Sequence, residues 1–240
     1  MDIPSLRLET RYGMPAADQI LFNRHYVLGY SYYFRQAKWA LEIVDRANPD
    51  VSRSENFRPD YRVPENFRAD LVDYTGSGYH RGHLVASANK LEFELQNSET
   101  FLLSNMAPMR PGFNRGIWRE LEDAVRKLDA DENVYETYVI SGPVFDFDKP
   151  VQSIGTRDGN KVTIPVPHGF FKSILTENHR GTLRMWSFII PNTSDTGPLK
   201  SYRVATEVVE RYVGIKLWQR LVGKNIDKEK RRVRAMWKPR

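Results

Sequence analysis

Residues 100–122, TFLLSNMAPMRPGFNRGIWRELE, are where the chain changes its period. From Asn114 onward, apolar residues fall at Ile117, Trp118, Leu121, Ala124, Val125 and Leu128, with spacings of 1, 3, 3, 1 and 3. That is one face of an α-helix. Asn114 stands at its start, where an amide either caps the first turn or points into a site. On both sides the chain reads as strand. Residues 25–34 (HYVLGYSYYF) and 38–44 (KWALEIV) are rich in aromatic and β-branched side chains, and residues 135–144, 161–166, 170–175 and 183–190 repeat the pattern. Pro49, Pro59 and Pro64 mark a loop, Thr75-Gly76-Ser77-Gly78 a turn, and residues 201–213 read as a helix. Strands dominate and nothing alternates as βαβ units do. The expected fold class is therefore α+β with a mostly antiparallel sheet.

The 240 residues include 36 Lys+Arg, 30 Asp+Glu and no cysteine. The length is ample for a buried core. The missing thiols exclude a disulfide scaffold, a thiolate zinc site and a cysteine nucleophile. His25, His80, His83, His168, His179 and the carboxylates remain for acid–base or metal chemistry. Of these, His25, His168 and His179 have no metal-ligand spacing and read as structural or surface residues. No stretch reaches the roughly 18 apolar residues of a membrane helix, so no membrane partner is expected. The opening MDIPSLRLET lacks the apolar core of a signal peptide. A cytoplasmic protein is the plain reading, and a secreted form already trimmed of its leader would look the same.

The net charge of +6 is not spread evenly: residues 223–240 carry eight basic and two acidic side chains, leaving residues 1–222 neutral. Two units are thus expected, a neutral body (1–222) and a basic C-terminal tail (223–240). The aromatic pairs Tyr32-Tyr33 and Phe170-Phe171 lie on strand-like segments, where one member of each is expected in the core.

Several blocks, taken in order, resemble the DNA/RNA non-specific endonucleases of the ββα-metal class. RYGMPAADQILFNRHYVLGY (11–30) is similar to the family's opening segment, Arg53–Asp60 (RSENFRPD) to its arginine loop, and SGYHRGHLVASA (77–88) to its Asp-Arg-Gly-His signature. Residues 100–122 resemble the segment that holds the metal-binding asparagine, and YVISGP (138–143) and IIPN (189–192) its later strands. The spacing from Asn105, nine residues to Asn114 and eight more to Glu122, is far more specific than the short signature.

The resemblance implies a ββα-metal finger and metal-dependent hydrolysis of phosphodiester bonds in DNA and RNA, leaving 5′-phosphates. His83 would be the general base, since an imidazole titrates near working pH. Asn114 would be the direct ligand of Mg²⁺, with Mn²⁺ as a substitute; a neutral amide oxygen suits a hard ion that keeps several waters, one of which would protonate the leaving oxygen. On a continuous helix Glu122 lies about 80° around from Asn114, near enough to hold the ion's waters. Arg53 would meet the phosphate with its fork of donors, Arg81 completes the signature, and Asn105 would position base or phosphate. Relatives are often dimers, so a homodimer is a further implied partner.

One departure stands out. His80 occupies the place of the family's usual aspartate, giving His-Arg-Gly-His and removing a negative charge near the metal. An active enzyme with altered metal affinity is the leading expectation. A weakened pseudo-nuclease that binds nucleic acid or protein is its rival, and a nuclease effector or toxin controlled by an inhibitor or regulatory protein is a third. For the tail, with Ile226, Val233 and Trp237 at helical spacing, three roles stay open: gripping nucleic-acid backbone, docking on a partner or subunit, or a solvated end.

Overall fold

The computed structural model describes residues 7–44, 51–155 and 163–237. Pro49, Lys161, Lys238 and Arg240, with the first residues of the chain, lie outside the described residues. Seven strands form one antiparallel sheet in the order β1-β2-β3-β6-β9-β10-β11, comprising β1 (Gln19–Phe22), β2 (Tyr26–Ser31), β3 (Gln36–Ile43), β6 (Glu136–Val144), β9 (Gly169–Glu177), β10 (Leu183–Pro191) and β11 (Arg203–Val204). The fold class expected from the strand-rich pattern is the one observed. Short pairs complete it: β4 (His80–His83) with β5 (Met106–Met109), and β7 (Ser153–Ile154) with β8 (Ile164–Pro165).

Both faces of the sheet are covered. Leu28, Ala40, Val139, Phe170 and Ile174 pack on one side with Phe113, Trp118, Leu121 and Val125. Their strand neighbours Val27, Trp39, Tyr138, Ile140, Phe171 and Leu175 pack on the other with Val209, Leu217 and Trp218. The expectation that only one of Phe170 and Phe171 is core is therefore corrected: both are fully buried, because a strand covered on both faces buries both halves of its alternation. In the other pair, Tyr32 stacks on Phe67 and Tyr33 is exposed.

Two boundaries also differ from the sequence pattern. The segment 25–34 ends as a strand at Ser31, turns through Arg35 at φ 52° and re-enters the sheet at Gln36. Within 201–213 only Thr206–Val213 is α-helical (α5); before it, Arg203 and Val204 pair with Phe188 and Ser187 as an edge strand, so sheet pairing overrides the helical period there. The other helices are α1 (Leu71–Tyr74), α2 (Glu94–Glu99), α3 (Pro111–Phe113), α4 (Arg119–Asp129) and α6 (Lys224–Lys230).

The helix expected from Asn114 is not continuous. Between α3 and α4 lies a wide turn, Asn114–Trp118, with Gly116 at φ −94° and ψ −112°. Such one-turn widenings re-aim side chains and recur at functional sites. Beyond the wide turn the apolar stripe behaves as expected, burying Leu121, Val125 and Leu128.

The C-terminal segment folds back onto its own chain. Trp186 Nε1 donates to Ala235 O at 2.9 Å, Arg203 Nη1 to Arg234 O at 2.7 Å, and Trp237 Nε1 to Ala124 O at 3.0 Å. Lys230 pairs with Glu210 at 2.8 Å, and Arg234 pairs with Glu229.

Gly142 tests the register at the sheet centre, because a Cβ there would lie 2.3 Å from the Lys38 carbonyl oxygen. Backbone cannot step aside cheaply, so Gly142→Ala is expected to destabilise the fold by about 2 kcal/mol or more, read as a lowered midpoint of urea unfolding with unchanged slope.

Candidate active site

A cleft of about 540 Å³ opens where the β4–β5 hairpin meets α4, and Arg53, His80, His83, Asn114, Glu122 and Arg126 line it. The hairpin register sets His83 opposite Met106 and His80 opposite Met109. Gly82 lies between them, and the Met109 side chain fills the space a Cβ would take, with Sδ at 2.2 Å, so a larger residue here would displace that side chain. Trp118, fully buried, donates its indole N–H to the His83 carbonyl at 3.0 Å and ties hairpin to helix.

His83 stands edge-on to Phe57 and Phe101, with ring centroids 5.8 and 4.9 Å away. Its Nε2 is buried and has no hydrogen-bond partner among the described residues. Burial, reinforced by the Arg53 charge, pushes its pKa down to about 3, so the ring is held as neutral imidazole. Arg53 lies over Phe101 at 5.1 Å and pairs with Glu55 at 3.4 Å, half-exposed at the cleft edge. Arg81 does not line the cleft; its guanidinium covers Phe57 at 4.3 Å, supporting the ring beside His83.

Asn114 closes α3 with its backbone N–H on Pro111 O, and its side chain turns towards the hairpin. Its side-chain Nδ2 lies 3.2 Å from His80 Nδ1, while His80 Nε2 is 3.1 Å from Arg115 Nη2. A guanidinium and an amide NH2 both only donate, and a neutral imidazole has one acceptor nitrogen, so the ring accepts from one of these two neighbours at a time. Burial, then Arg115 and Arg81, lowers the His80 pKa from its ordinary value, so His80 stands in the cleft as a neutral spacer where a carboxylate would bring charge.

Glu122 sits on the cleft floor, where burial raises its pKa to about 7 against the pull of Lys172 and Arg126. Lys172 on β9 lies 4.4 Å above the Trp118 ring and donates to Ser141 Oγ at 2.8 Å; burial lowers its pKa. Neighbouring Arg126 donates to Asn89 Oδ1 at 2.9 Å, and Asn89 donates to Glu42 at 3.0 Å. A buried polar lattice thus runs from the cleft into the sheet. Lys172 and Arg126 are absent from the sequence-based site. A lysine inside the apolar alternation of GFFKSILTE (169–177) was the available signal.

Asn105 is not brought into the cleft. It is fully buried, its Oδ1 accepting from Val85 N at 3.0 Å and its Nδ2 donating to Val85 O at 3.0 Å and Thr100 O at 2.9 Å. With both ends of the amide engaged it cannot meet base or phosphate directly; it fixes the backbone that follows His83. Asn192, from IIPN, plays a similar part, accepting from Arg110 N at 2.8 Å and donating to Pro108 O at 3.1 Å and Pro167 O at 3.0 Å, which fastens the start of α3 to the sheet.

A match to the DNA/RNA non-specific endonuclease family runs over residues 4–223. The chain belongs to that family. It is 35% identical over 227 residues to a nuclease of Syncephalastrum racemosum, covering 86% of this chain and 69% of that one. It is 34% identical over 218 residues to human mitochondrial endonuclease G, covering 85% and 71%. The solved complex of EndoG with EndoGI, described as the mechanism of EndoG inhibition, superposes with a TM-score of 0.80 at 34% identity, covering 89% of this chain and 91% of that chain. The family match stops where the basic tail begins. No helix among the described residues is long and apolar enough to cross a membrane.

Burial of His83 has a direct pH signature. Its pKa falls from the ordinary 6.5 to about 3 on folding, so the unfolded chain binds its proton first. Folded-state stability from this group is therefore complete above the unfolded value and is lost as pH falls towards 3. NMR titration should show His83 ring resonances unmoved between about pH 5 and 8, and His83→Gln should flatten the acid limb of the unfolding midpoint.

Proposed function

We propose that this protein is a metal-dependent endonuclease of DNA and RNA. The observation that carries the reading is a neutral, buried His83, its Nε2 unpaired among the described residues, in a cleft that also holds Asn114, Glu122 and Arg53. His83 takes the proton from the attacking water at Nε2. Arg53 presents its guanidinium to the phosphate, and Phe101 beneath it restricts its swing. Neither contact reads a base, which suits cleavage without sequence preference.

The donors suit a hard divalent cation such as Mg²⁺, with Mn²⁺ as substitute. Asn114 would hold the ion, and Glu122 would anchor the surrounding water. A carboxyl raised to about 7 in a cleft is one that a cation would draw back to its charged form. Among the described residues no three His, Cys, Asp or Glu side chains gather around one point, so the protein would supply few ligands, as Mg²⁺ prefers. When bound, the ion supplies neutralisation of charge building on the phosphate. The products would carry 5′-phosphates. An indiscriminate nuclease calls for restraint, and the neighbour solved with its inhibitor supports a separate inhibitory chain as the regulator.

Incubating the protein with plasmid DNA and with RNA, in Mg²⁺ or EDTA, tests this. Both substrates should be lost only with metal, and His83→Ala should slow cleavage by at least about a hundredfold, the ordinary contribution of a general base. Binding without metal-dependent cleavage would overturn the reading in favour of a pseudo-nuclease. His80 sets a second expectation. His80→Asp places a carboxylate beside Asn114, so the Mg²⁺ concentration giving half-maximal cleavage should fall; an unchanged Mg²⁺ requirement would show that His80 does not limit the ion's affinity.

A further inference from the structure

A second groove, about 670 Å³, begins where the cleft ends. Arg115 and Arg119 line both, so the wide turn and α4 together form a continuous wall from the cleft to the C-terminal segment. The far wall is built by Met236 and Trp237, which lie beyond the family match. We propose that this groove binds a single nucleic-acid strand extending from the cleft, with phosphates on the lysines and arginines and a base against Trp237. The proposal rests on the nuclease reading of the cleft and extends it to the path of the substrate.

Three features favour a nucleic-acid strand. The first is charge: Arg115, Arg119, Lys127 and Lys200 line the groove against Glu120 and Asp123, and Asp123 is taken up by Arg126. Lys127 and Lys200 are exposed, positioned to meet phosphate oxygens. The second is the apolar surface between the charges, where Leu199, Met236 and Trp237 present faces that suit sugar and base.

The third feature is preorganisation. Trp237 is pinned by its N–H to Ala124 O at 3.0 Å and by edge contacts with Trp186 and Phe188 at 5.6 and 6.3 Å. The segment carrying it is fixed by backbone acceptors at Arg234 and Ala235. A ring held in this way binds without first being ordered. The open tail question is thereby narrowed: the described part of the tail docks on its own body, and from there it completes a surface for the substrate.

The test uses the full chain carrying His83→Ala, so that binding is measured without cleavage. Fluorescence anisotropy is followed against salt for a single-stranded DNA of about 16 nucleotides, and for one of about three that fills only the cleft. Lys127→Gln with Lys200→Gln should weaken the longer strand at least about tenfold and flatten its salt slope by about 1.4, the counterion release of two phosphate contacts on single strands. Trp237→Leu should weaken the longer strand about fivefold or more with an unchanged slope, since stacking carries no counterions. Both variants should leave the short strand's affinity unchanged; the lysine pair should also leave the thermal midpoint unchanged, whereas Trp237→Leu lowers it by loosening the contacts with Ala124, Trp186 and Phe188, so its binding is read well below that midpoint. If the long strand binds all these proteins equally, the groove proposal falls, whatever else the groove holds. Failure of the wild-type chain to cleave the same DNA with Mg²⁺ would instead sink the nuclease reading, and leaves the binding comparison to decide the groove by itself.

Discussion

The bond from Trp118 Nε1 to the His83 carbonyl is the joint on which the site depends. His83 comes from a two-stranded hairpin, whereas Asn114 and Glu122 come from a wide turn and the helix after it. A hairpin this short is marginal by itself and takes its position from what it packs against. Trp118 supplies that position. Its ring stacks near Phe113 and Phe170 and lies beneath Lys172, so the large sheet, the helix and the hairpin meet at one side chain. The backbone oxygen receiving its proton belongs to the residue whose imidazole faces the cleft. An error of an ångström in one element is thereby shared by the other.

Charge buried behind the cleft does a second kind of work. Lys172, Glu122, Arg126, Glu42 and Lys90 lie in or at the edge of the core, and burial shifts Glu42 and Glu122 up and Lys172 down. Lys90 approaches Glu42 at 3.6 Å and also donates to Ile43 O at 2.6 Å. Removing one member of such a set leaves another charge unpaired in a poorly solvated place, which is costly. The lattice therefore holds α4 at a defined height over the sheet, and Glu122 reaches the cleft floor from that height.

Much of this was legible in the amino-acid order. The stripe from Ile117 to Leu128 located the helix, and the linked positions of His83, Asn114 and Glu122 located the cleft. The spacing of Asn105 points to the substrate, yet a residue name does not say where an amide points; the backbone groups of Val85 and Thr100 claim it. Gly116 was equally hidden, since a single widened turn leaves an apolar stripe intact. Lys172 was masked by the strand around it. The docking of Trp237 depended on Trp186, Phe188 and Ala124, partners some 50 to 113 residues away, which no local pattern carries.

The helix that follows the wide turn at Asn114–Trp118 also constrains how this gene can change. After the wide turn the helix is regular and each residue adds about 100° of rotation, so losing or gaining one residue between Trp118 and Glu122 would swing everything on one side of the change around the axis. Trp118 would leave the core or Glu122 would leave the cleft. Substitutions along the exposed side of α4 can accumulate one by one, but insertions and deletions here have no gradual route. Across descendants of this sequence, the count of residues in this stretch should therefore persist longer than their identities.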